Sequence, residues 1–86
     1  MKWEDATSYE RDKPRIQTGW RTEASDLRIT ITKAHIHAPG RWVMHCRPWF
    51  DTKDIGPDDM EVERAKVIAL DLVRRKIEAV HAALGA

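Results

Sequence analysis

The sequence predicts an α+β domain: a three-stranded antiparallel β-meander packed on one long C-terminal α-helix, in the order βββα. Three observations carry this. In residues 57–84 the apolar positions recur with helical spacing: Val62, Ala65, Ala69, Leu72, Val73, Ile77, Val80 and Leu84 fall on one side, and Arg64, Asp71, Arg74, Arg75 and Glu78 on the other. Upstream, apolar and polar residues alternate with the period of a strand. Turn formers, Ala24-Ser25-Asp26 and Ala38-Pro39-Gly40, separate those alternating stretches.

Residues 1–13 are polar, with Trp3 and Tyr9 as the large apolar groups, and read as an N-terminal arm. Residues 14–86 form the single domain. Pro14 opens the first strand, residues 15–23, where Ile16, Thr18, Trp20 and Thr22 share a face. Gly19 is the weak point of this strand and the place for a bulge.

Residues 27–37 form the second strand. Leu27, Ile29 and Ile31 alternate with Arg28, Thr30 and Thr32. Residues 41–48 form the third, with Trp42, Met44 and Cys46 on one face. Two registers are open for this hairpin. One sets Leu27, Ile29 and Ile31 on the face of Trp42, Met44 and Cys46. The other brings Ala34 and Ile36 there and needs a bulge near Thr32 or Lys33. In both, Arg28, Thr30, His45 and Arg47 point away from the core.

Residues 49–56 read as a linker whose Phe50 and Ile55 tuck against the core. Pro57 stands as the first helical residue, with Asp58, Asp59 and Glu61 in the first turn and Gly85 as the stop. The predicted core is Ile29, Ile31, Trp42, Met44, Leu72, Val73 and Ile77. A helix of this extent is ~40 Å long and overhangs strands of ~25–30 Å. Its apolar arc of ~200° exceeds what one sheet covers. A homodimer through the C-terminal helix is the expected remedy, with Trp3 and Tyr9 folding back over the overhang as the alternative.

The chain has 86 residues, which bounds it to one small domain with a modest core. No apolar run approaches the length of a membrane span, and the first residues lack the apolar core of a signal peptide. A single cysteine, Cys46, excludes an internal disulfide, and a cytoplasmic protein is expected.

His35, His37 and His45 are the candidate metal ligands, but His45 falls on the opposite strand face from the other two. Cys46 and His45 are neighbours on a strand and point to opposite faces, so they form no catalytic pair. No nucleophile elbow, phosphate-binding glycine loop or zinc-protease motif is present. An enzyme, a metal and a cofactor are therefore not expected.

Net charge is +1, unevenly spread. Between residues 15 and 50, Arg15, Arg21, Arg28, Lys33, Arg41 and Arg47 face only Glu23 and Asp26. The sequence expectation is a non-enzymatic binding module. It would engage DNA or RNA through Arg21, Arg28, Thr30, Arg41, Arg47 and Trp49 on the open sheet face. The alternative is a homo-oligomeric interaction module with no nucleic-acid role.

Overall fold

The computed structural model describes residues 1–9, 11–12 and 15–85. Its α+β architecture is an antiparallel sheet with one C-terminal helix across one face. The strands are β1 (Glu4–Asp5), β2 (Gly19–Ala24), β3 (Leu27–Thr32), β4 (Arg41–Cys46) and β5 (Phe50–Pro57), followed by α1 (Val62–Gly85). They lie in chain order, each antiparallel to the next. The sheet thus has five strands where three were predicted, and both additions are edge strands.

β1 comes from the stretch read as an arm. It pairs Glu4 with Arg21 and Asp5 with Trp20. The Thr22 hydroxyl donates to the Lys2 carbonyl, and the Thr7 hydroxyl accepts from the amides of Thr18 and Gly19. Gly19 is needed for this seam. A Cβ there would meet the Ala6 carbonyl oxygen at 2.9 Å, closer than real Cβ contacts come. Gly19 pairs in regular register with Thr32, so close approach of a neighbouring backbone, rather than a bulge, accounts for it. Pro14, read as a strand opener, lies outside the described residues.

β5 replaces the expected linker. Phe50 and Ile55 are five residues apart, which in a regular strand would put them on opposite faces. The register shift against β4 between Met44 and Cys46 adds one residue to β5 and removes that conflict; a second shift, between Trp42 and Val43, falls at Ile55 itself. Thr52 sits within the first at φ 51°. Both Phe50 and Ile55 then reach the core. Because β5 runs on to Pro57, which pairs with Arg41, α1 starts later than predicted. Asp58 and Asp59 form a turn, and the first helical bond runs from the Ala65 amide to the Glu61 carbonyl.

β3 and β4 take the first of the two registers, with Ile31 opposite Met44. β3 stops at Thr32. Residues 33–40 form a loop with Ala34 at φ 63° and one bridge from His35 to Ala38. Ile36 is 85% exposed there, which closes the alternative register.

The core lies between sheet and helix: Ile29, Ile31, Trp42, Met44, Cys46 and Ile55 from the sheet, and Ala65, Ala69 and Val73 from α1. Two predicted core members fall outside it. Leu72 is half-buried and Ile77 is 44% exposed. The smallest side chains of the helix, at positions 65 and 69, form the contact, so the helix sits close to the sheet. Leu72 lies on the flank of that line. Ile77 lies beyond the sheet altogether.

Trp3 packs against the same cluster, with Lys66 Nζ 5.4 Å from its ring. Tyr9 does not reach the helix. It donates a hydrogen bond to Asp5, and Arg15 lies over its ring at 4.4 Å.

Candidate functional site

The open face of the sheet carries the side chains that alternate away from the core. Its rungs follow from the registers. Glu4 and Arg21 lead to Thr30 and His45 across β1 to β4. Glu23 stands opposite Arg28.

This face is not the bare basic surface that the residue list suggests. Arg21 meets Glu4 at 3.5 Å, and Arg28 meets Glu23 at 3.2 Å. The Arg41 guanidinium grips both oxygens of Asp54 at 2.9–3.1 Å. That grip holds the Asp54 carboxyl below the usual carboxylate range and raises Arg41. The partners come from β1, from the β2 side of the first hairpin and from β5. Trp49 stands apart: it is half-buried in the β4–β5 turn and packs against the core, not on the open face. Of the residues expected to bind nucleic acid, Arg28, Thr30 and Arg47 come together.

They line a groove of about 660 Å³ with Glu23, Ser25, Asp26, Leu27 and His45. His45 was legible as an outward strand residue but not as part of this site; only the pairing with Thr30 places it there. Its imidazole is within 3.2 Å of the Thr52 hydroxyl and 3.6 Å of an Asp51 oxygen. The His35 ring stands over it at 5.5 Å, so the 33–40 loop folds back on this face. Val43, on the same face, is fully buried although no helix covers it.

The three histidines approach one another through His35, whose ring is also 5.6 Å from that of His37. Among the described residues no group of three His, Cys, Asp or Glu side chains is arranged to hold a metal ion. Cys46 is buried in the core, and burial pushes its thiol up, away from the reactive thiolate. No described helix is long and apolar enough to cross a membrane. No protein-family model matches the chain, and neither a curated protein nor a solved structure shows significant similarity to it.

His45 makes stability depend on pH. Burial lowers its pKa from the ordinary 6.5; the neighbouring His35 and Arg47 lower it further, and Asp51 opposes them. The unfolded chain therefore takes up a proton at higher pH than the folded one. Stability is unaffected well above 6.5, declines as pH falls through 6.5, and levels off below the folded pKa. Urea midpoints are expected to fall between about pH 7 and 5. His45→Gln should remove part of that slope; an unchanged slope in the variant would assign it elsewhere.

Proposed function

We propose that this chain is a small non-enzymatic interaction module that pairs with a second copy of itself through the projecting half of α1. One observation carries the reading. The buried helix residues, Ala65, Ala69 and Val73, all lie in the first half, and nothing from Arg74 to Gly85 is buried. That stretch runs ~18 Å past its last anchor. The longest dimension of the molecule is 53 Å against 23 and 21 Å for the others.

The projection is patterned for a helix partner. Leu70, Val73, Ile77, Val80 and Leu84 recur at spacings of three and four, the a and d positions of a coiled-coil seam. The seam starts at the sheet and runs out into solvent, where Ile77 is 44% and Leu84 82% exposed. An antiparallel pair places Ile77 against the partner's Val80. Charge favours this direction. The last turn of α1 has no basic side chain to offset its carbonyl ends. Antiparallel pairing brings Arg74 and Lys76, which flank the seam, alongside the partner's last turn, where cations are stabilising. A parallel pair would bring these two bases near their counterparts. Lys76 borders the seam and can lay its methylenes along it with the ammonium in water.

The seam is short, so the dimer belongs to the weak class that buries less than about 1,200 Å². Sedimentation equilibrium of the chain is expected to show monomer and dimer exchanging in the micromolar range. The double substitution Ile77→Glu, Leu84→Glu should leave a monomer with an unchanged fold. A parent chain that stays monomeric at high micromolar concentration would end this reading.

A further inference from the structure

We propose that the groove between the ends of β3 and β4 is a phosphate-binding site centred on Arg28 and Arg47, independent of the helix pairing. The position of two arginines supplies the first reason. Thr30 and His45 are the last paired rung of β3 and β4, and Arg28 on β3 and Arg47, just past the end of β4, both line the groove beside them. Like charges lining one groove repel, and an anion between them reverses the sign of that interaction.

The second reason is the uneven pairing of charge. Among the described residues no carboxylate lies within ion-pair distance of Arg47. Its charge is felt instead by His45, which it disfavours as a cation. Arg28 is held by Glu23, but with both side chains more than half exposed, 65% and 59%. Such a pair is worth little and yields to a competing anion. Glu23 and Asp26 line the groove as well, so it is no general polyanion surface. Beside the two guanidiniums it offers the Thr30 hydroxyl and the His45 imidazole. Two planar forks and a hydroxyl suit the several acceptor oxygens of a phosphate better than a single carboxylate.

A bound phosphate favours the protonated form of His45, so the affinity of a phosphodiester, whose charge is fixed in this range, rises as pH falls from about 8 to 6, while inorganic phosphate loses a charge over the same range and shows a weaker trend. The phosphate can belong to a small molecule or to a nucleic-acid backbone. Amide NMR titrations with inorganic phosphate, a short single strand and a short duplex, each at low salt, separate the two. In either case shifts are expected at residues 25–30 and 45–47. Saturation by inorganic phosphate identifies a small-ligand site. Shifts with an oligonucleotide alone, lost as salt is raised, identify the backbone of a nucleic acid. Arg47→Gln, at an exposed position, should keep the parent spectrum elsewhere and weaken binding about tenfold, the loss of a charged hydrogen-bond partner. The proposal is overturned by no shift with any of the three probes, by shifts spread over all basic residues, or by equal binding to Arg47→Gln.

Discussion

Trp42→Ala is expected to cost about 3–5 kcal/mol, the range for truncating a buried aromatic, and so most of the stability of a domain this size. Trp42 is fully buried near the start of β4. Its ring meets Trp20 at 5.4 Å, a tilted contact between two aromatic faces. Its indole Nε1–H donates to the Met60 carbonyl at 2.8 Å. That bond ties the turn before α1 to the sheet, so truncation leaves a cavity and frees the helix entry at once. Trp42→Phe separates the two effects: it keeps most of the volume and loses the hydrogen bond, worth about 1 kcal/mol. Chemical denaturation of both variants checks this. A Trp42→Ala protein as stable as the parent would mean that the sheet–helix contact lies elsewhere.

Ala69→Leu is the second large effect, and its sign is opposite to what added hydrophobicity alone would suggest. Ala65 and Ala69 are both fully buried at the point where α1 crosses the sheet. There is no room for three further carbons without lifting the helix. Overpacking of this kind costs about 1–3 kcal/mol. Leu72→Ala, on the half-buried flank, should cost only about 1–2 kcal/mol, because part of its surface already meets water. Thermal melts of the two variants side by side decide the helix face. If Leu72→Ala proved much the worse, the contact would run along Leu72 and not Ala69.

How much of the candidate site was legible follows from the same alternation. Arg28, Thr30, His45 and Arg47 were readable as outward residues because strand period alone sets which face a side chain takes. The carboxylates that neutralise the other expected site arginines were not readable. Glu4 reaches Arg21 from 17 residues away, and Asp54 reaches Arg41 from 13. Trp49 was expected on the open face, yet the β4–β5 turn carries it to the core side.

Taken by itself, the sequence determined the periodic parts. These are the hairpin of β3 and β4 with Ile29, Ile31, Trp42 and Met44 on one face, the amphipathic helix, and its excess length over the strands. Each is a property of local spacing, which needs no knowledge of distant residues. Only the tertiary structure decided the edges. β1 is two polar residues long and is a strand only because β2 offers it free backbone groups. β5 breaks the strand period at two register shifts, and those depend on pairing with β4. The start of α1 moved from Pro57 to Val62 for that reason, since Pro57 was already committed to the sheet. Which helix residues are buried was likewise a matter of distance. The close approach of two alanines to the sheet put Val73 in the core and left Ile77 beyond its end.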